Sequence, residues 1–173
     1  MELVKSLGLA NAWDLCKHLK WNEKYGIKFM RIHSEIFPFA SHAEYGYSLE
    51  FASEPLAEAG RFAMEHGHRL TTHPWIYTQL GSPREEVVQS SIRELEYHSE
   101  LLKGLGMKGQ ADRDAVILLH MGGSFEGKTE TLERFRKNYV SLSQDIKARL
   151  VLGNDDTVSI PLISLFPVFQ AWY

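Results

Sequence analysis

Residues 115–119 are five apolar residues in a row, AVILL, and the run ends on His120 before dissolving into Gly122 and Gly123. A continuous apolar run of this length suits a strand buried on both faces, as in a parallel sheet. A histidine at its tip suits the mouth of an α/β barrel, where functional side chains sit at strand ends. The pattern recurs. His68–Thr72 leads into His73-Pro74, and Arg149–Leu152 leads into Gly153-Asn154-Asp155-Asp156. An earlier run, Ile27–Ile32, reads as a further strand.

Helical patterns separate these runs. Asn11 is placed to cap a helix carrying Ala12, Leu15, Cys16 and Leu19 on one face. Glu50–Glu65 reads as a helix with Ala52, Leu56, Ala59 and Ala63 inward, stopped by Gly67. Ser82-Pro83-Arg84-Glu85 reads as a helix start with a serine cap, proline in the first turn and a returning glutamate. Val88, Ile92, Leu95 and Leu102 carry that helix inward until Gly104 and Gly106. Leu132, Phe135, Tyr139, Leu142 and Ile146 keep a 3-4-3-4 spacing, which predicts one amphipathic helix with Arg134, Lys137 and Lys147 on a solvated outer face. The order α-β-α-β-α-β-α-β predicts an α/β fold with a parallel sheet and right-handed crossovers. All strand ends then lie on one side. No glycine-rich phosphate fingerprint follows any strand, which disfavours a dinucleotide-binding sheet.

The chain has 173 residues, and its net charge of −3 excludes a global basic footprint for nucleic acid. Cys16 is its one cysteine, so no internal disulfide forms, which fits a reducing compartment. Met1 opens no signal-peptide pattern. Residues 157–173 carry no charge but hold Pro161 and Pro167, and the expectation is a buried tail rather than a membrane anchor. The long loop His33–Tyr47 and the loop His73–Gly81 are candidates for function. His73 and His120 sit at strand ends, His42 lies within reach of the same rim, and Asp155 and Asp156 follow the fourth strand. Imidazoles with nearby carboxylates hold divalent metals that polarise a phosphoryl oxygen and generate hydroxide at neutral pH.

The segments FMRIHSEIFPFASH, RLTTHPWIYTQLGSPREEVVQSSIRELEYHSELL, DAVILLHMGG, ERFRKNYVSLSQDIKARLVL and NDD resemble the UV damage endonucleases, most closely the fungal kind. The resemblance implies a (β/α)₈ TIM barrel that nicks double-stranded DNA 5′ to UV photoproducts by metal-assisted hydrolysis, opening an excision repair route. It implies a cluster of divalent metals, manganese or similar, with His42, His73 and His120 as ligands. It assigns Ile76 and Tyr77 to the loop that probes the lesion. It also implies a nuclear or mitochondrial site of action, within the cell and not at a membrane.

The chain departs from the family pattern at informative positions. Gly153 stands where the family carries a metal-bridging glutamate, so the cluster is expected to be incomplete. Ile76 stands in place of a glutamine, Trp75 in place of a glycine that would matter if it needed positive φ, and His33 in place of a small residue. A whole barrel needs about 250 residues. The strands here correspond to the family's second to fifth, giving an expected partial TIM barrel of about four βα units over 1–156. The resemblance stops at Asp156, and 157–173 is expected to be foreign to the family, as translated intron would be. Two other readings follow: a non-catalytic truncated fragment, and a metal-dependent sugar isomerase on a similar barrel.

Overall fold

A computed structural model describes residues 1–153; Asp155, Asp156 and the tail 157–173 lie outside the described residues. The elements are α1 (Glu2–Lys24), β1 (Phe29–Ile32), α2 (Ser53–His66, preceded by a 3₁₀ turn Glu50–Ala52), β2 (Arg69–Thr72), α3 (Glu85–Gly104), α4 (Gly109–Arg113), β3 (Ile117–His120), α5 (Lys128–Ser141), α6 (Gln144–Lys147) and β4 (Leu150–Gly153). The four strands form one parallel sheet in the order β1-β2-β3-β4. This is the expected partial barrel of consecutive βα units.

Each strand contributes one residue in two to the helix-covered face. Ile32, Leu70, Ile117, Leu119, Leu150 and Leu152 are buried against Leu56, Leu95, Leu101, Phe135 and Ile146 of the helices. Full burial of such a side chain is worth about 1.5–3 kcal/mol. The other face carries Arg31, Thr71, Leu118, Val151 and Gly153, and it is open: Arg31 and Val151 are exposed and Leu118 is half-buried. The expectation of a strand buried on both faces is therefore corrected. On β3 and β4 this face is still lined by Leu118 and Val151, on β1 and β2 by Arg31 and Thr71, and the described residues supply no opposing wall for it.

Three helix expectations also change. The first helix begins at Glu2, so Asn11 is an interior residue, not a cap; its Nδ2 donates to Ile36 O at 2.9 Å and ties α1 to the loop after β1. Helix α3 begins at Glu85 with Arg84 at its N-cap, and Ser82 Oγ instead accepts the Arg84 N–H at 3.2 Å, closing the turn before the helix. The predicted helix over Leu132–Ile146 is two helices. The chain extends at Leu142 and Ser143, and Ser143 Oγ accepts the Ile146 N–H to start α6. The inward spacing survives the break, because Phe135, Tyr139, Leu142 and Ile146 all remain buried.

Gly67 ends α2 in the left-handed conformation, as its position predicts. Below the sheet, Glu23 of α1 joins the starts of two strands: it pairs with Lys28 and accepts from His68 Nε2 at 2.8 Å. Those contacts hold the Glu23 carboxyl below the ordinary glutamate range, the Lys28 hydrogen bond most of all.

Candidate metal and DNA site

The period of two along a strand decides which side chains share the open face. His73 follows Thr71 in parity, His120 follows Leu118, and both project from that face at the C-terminal ends of neighbouring strands. Their rings lie 4.9 Å apart, centroid to centroid, inclined at 55°. The two histidines expected at adjacent strand ends are thus brought together.

His73 is oriented as a ligand should be. Its Nδ1 lies 2.8 Å from the Pro74 carbonyl, so Nδ1–H donates and the Nε2 lone pair stays open. Burial pushes the His73 imidazole below its ordinary pKa of 6.5; the Pro74 hydrogen bond opposes that, and His120 and Arg31 add to it. The ring is neutral at physiological pH, the form that binds metal. His120 Nδ1 is buried and has no hydrogen-bond partner. Gly153 is its register partner on β4, and a Cβ built on Gly153 would stand 3.2 Å from His120 Nδ1 and Cε1. The unpartnered Nδ1 of His120 therefore faces Gly153, which has no side chain.

His42 is placed differently. It lies exposed in the loop after β1, stacked on Tyr45 at 4.8 Å and edge-on to Phe39 at 6.3 Å. Its Nδ1 accepts the Glu44 and Tyr45 N–H groups at 3.1 and 3.2 Å. That fixes the proton on Nε2, so ligation through Nε2 requires the turn to release Nδ1. Among the described residues no group of three or more His, Cys, Asp or Glu side chains stands close enough to hold a metal ion. His33 likewise caps a local turn, accepting the Glu35 N–H at 3.1 Å.

The loop after β2 presents Trp75, Ile76 and Tyr77 to solvent at 46%, 66% and 71% exposure. Trp75 does not have a positive φ, so its replacement of a glycine brings no left-handed strain. Three hydrogen bonds hold the loop: Thr78 N–H to Trp75 O at 2.9 Å, Gln79 N–H to Ser91 Oγ at 2.7 Å, and Gln79 Nε2 to Ile76 O at 3.2 Å. Glu94 of α3, which sequence reasoning missed, ties this loop to the preceding one. Burial opposes its ionisation, but hydrogen bonds from His98, the Ser41 hydroxyl and the Trp75 backbone N–H outweigh that and bring the carboxyl below its ordinary value. Its partner His98 is one helical turn on, at 3.2 Å, and fully buried. The i, i+4 spacing of Glu94 and His98 is the signal that could have found the pair.

Arg134 corrects another expectation. Rather than lying on a solvated face, its guanidinium donates to Gly81 O at 3.0 Å and Phe125 O at 2.7 Å, joining the loops after β2 and β3. Asn138 adds a bond to Leu80 O at 2.8 Å. Both loops that carry the strand-end histidines are thereby fixed to α5. Lys137 is exposed as expected, and Lys147 Nζ donates to Val140 O at the end of α5.

Strand-end imidazoles on consecutive parallel βα units define a class: the C-terminal rim of an α/β barrel with metal-type donors. Comparison with known proteins specifies it further. The family model of UV-endonuclease UvdE matches residues 1–168, and the chain belongs to that family. The match runs beyond Asp156, into the segment expected to be foreign to the family. The chain is 62% identical over 170 residues to the UV-damage endonuclease of Neurospora crassa, covering 98% of this chain and 26% of that protein. It is 55% identical to the UV-damage endonuclease of Schizosaccharomyces pombe, covering 98% of this chain and 28% of that one. The chain thus spans little more than a quarter of these relatives. The crystal structure of SacUVDE superposes with a TM-score of 0.83 at 40% identity, covering 91% of this chain and 53% of that one. D-Psicose 3-epimerase from Clostridium cellulolyticum H10 shares the fold alone, with a TM-score of 0.50 at 17% identity over 80% of this chain and 45% of that one. No helix among the described residues is long and apolar enough to cross a membrane.

Proposed function

We propose that the protein to which this chain contributes is a DNA repair endonuclease that nicks the strand 5′ to UV photoproducts by metal-assisted hydrolysis. The observation that carries this reading is the ligand-ready pair His73 and His120 beside an exposed, hydrogen-bonded wedge loop, within a chain of the UvdE family. The metal group would be divalent, manganese or similar. His73 Nε2 and His120 fit two nitrogen positions of such a site, and His42 would be a third once its turn releases Nδ1. When bound, the metals would polarise the phosphoryl oxygen and supply hydroxide. The chain's own contribution is positional. Arg134 and Glu94 hold the two loops, His73 is kept neutral by burial, and Ile76 and Tyr77 are presented to unstack bases at damaged duplex. Such a protein acts where DNA is, in the nucleus or mitochondrion.

A second reading is favoured by Gly153. Among the described residues the register partner of His120 offers no side-chain donor, so this chain supports a weak site and works as a binding fragment that lacks nuclease activity of its own.

One experiment tests both. Residues 1–153 replace the matching segment of the Neurospora crassa endonuclease, and the chimera is given UV-irradiated duplex with Mn²⁺. Weak nicking that Gly153→Glu restores and His73→Ala with His120→Ala removes is the expected result. Equal nicking by all three chimeras contradicts the assignment of these histidines.

A further inference from the structure

The helical layer that covers the sheet opposite the histidine rim holds a cavity of about 410 Å³, set between the start of α2, the last turns of α3 and α6. Specific ligand pockets run to about 300–1,000 Å³. The floor is apolar, with Leu49, Leu56 and Ile146 buried beneath it. The walls are acidic. Glu50, Glu96, Glu100 and Asp145 line the cavity against one ammonium, that of Lys103. Lys103 Nζ is already engaged, donating to Asp145 Oδ2 at 2.7 Å. Glu100 Oε1 accepts the Ser48 hydroxyl at 3.0 Å and the Leu49 N–H at 2.7 Å, neutral donors that leave its charge in place. Among the described residues, Glu50 and Glu96 have no ion-pair partner.

Helical spacing puts Glu96, Ser99, Glu100 and Lys103 on one face of α3, the face that walls the cavity. Ser99 is the unusual member. It is 4% exposed, and its Oγ is buried with no hydrogen-bond partner. A helical serine ordinarily returns to a carbonyl about one turn back, as Ser90 and Ser91 of the same helix do to Val87 O at 2.9 and 2.7 Å. A buried hydroxyl left unmade is costly, and a donor entering the cavity removes that cost. Glu96 and Glu100 add to the pull, because like charges at i, i+4 destabilise a helix until a cation meets them.

We infer that this cavity is a docking site for an arginine side chain on a basic segment of a partner protein. The guanidinium meets the Glu96 and Glu100 carboxylates and donates to Ser99 Oγ, while its methylene stem lies on Leu49, Leu56 and Ile146. A second basic residue of the partner meets Glu50. Arginine suits the site better than lysine, because its planar fork offers several N–H groups to acceptors on one helix face. The acidic walls repel phosphate, so nucleic acid is not the occupant. The site lies on the helix-covered side of the sheet, away from His73 and His120, and it does not depend on the nuclease reading.

The test uses the full 173-residue chain and three probes. One is a fluorescein-labelled acetyl-Leu-Arg-Leu-Arg-Leu peptide, the second its citrulline counterpart, which keeps the shape and loses the charge, and the third is spermidine as a competitor. Fluorescence anisotropy reads binding. The arginine peptide is expected to saturate the chain below about 1 mM, the citrulline peptide to bind at least about tenfold more weakly, and added salt to weaken the arginine peptide. Glu96→Gln is expected to weaken the arginine peptide by about tenfold, with circular dichroism showing that the variant is folded. Ser99→Ala is expected to weaken it by about threefold while raising the thermal midpoint of the free chain, since the variant removes an unsatisfied buried hydroxyl. A merely structural Ser99 would instead lower the midpoint and leave the affinity unchanged. Equal affinity for the two peptides, unchanged affinity in Glu96→Gln or no saturable binding overturns the proposal. Displacement of the peptide by spermidine as readily as by unlabelled arginine peptide assigns the cavity to a free polyamine and overturns the protein partner.

Discussion

Gly153 lies directly across the β3–β4 ladder from His120, and the Cβ it lacks would stand 3.2 Å from the unpartnered His120 Nδ1. A buried ring nitrogen left without a partner costs about 1–3 kcal/mol unless something meets it. The position best placed to supply that partner carries no side chain. Everything around it is kept: His73 is turned with Nε2 open, and Arg134 braces both loops. The His73–His120 pair therefore stands beside a strand-end position that carries no side chain.

The half-buried His73 gives the fold an acid-sensitive element. Its folded pKa lies below 6.5, so the unfolded chain takes up a proton first as pH falls. Stability attributable to His73 is present above pH 6.5 and is lost as pH drops through the folded value. Urea midpoints at pH 7.5 and pH 5.5 are expected to differ less in His73→Gln than in the wild type.

Glu94 holds Ser41 and the Trp75 N–H together, and its loss leaves the buried His98 Nε2 without its hydrogen-bond partner. Glu94→Ala is expected to destabilise the chain by about 2 kcal/mol, the cost of leaving a buried hydrogen-bonding group unsatisfied. Hydrogen exchange is expected to speed up in residues 73–79 beyond the global effect. Since the Glu94 carboxyl titrates below its ordinary 4.5, its contribution is present above pH 4.5 and lost as pH falls through the folded value.

Helices α2 and α3 meet at Gly60. A Cβ there would lie 1.8 Å from Leu105 O, a backbone atom that cannot swing aside. Gly60→Ala is expected to cost about 2 kcal/mol by overpacking, despite the better helix propensity of alanine. Thermal unfolding measures it; an unchanged midpoint would mean that the two helices separate more easily than their contact implies.

The parallel strands and their histidine tips were legible because apolar runs and their stops are local signals. His73 and His120 could be placed side by side from the alternation of helices and strands alone. What escaped was set by distant partners. Asn11 looks like a cap until Ile36 claims its amide, and Arg134 looks solvent-facing until Gly81 and Phe125 claim its guanidinium. The break at Ser143 hides inside an unbroken hydrophobic spacing, because both short helices turn the same side inward. His42 was legible as a histidine near the rim, but its ring is turned by two backbone N–H groups that no spacing rule reveals.

Manganese binding by the full chain tests the central claim most directly, read as loss of the free Mn²⁺ electron paramagnetic resonance signal in wild type, His120→Ala and Gly153→Glu. Weak binding in wild type, none in His120→Ala and at least about tenfold tighter binding in Gly153→Glu is the expected result. Equal affinity in all three proteins would contradict the assignment of His120 and its empty neighbour to a metal centre.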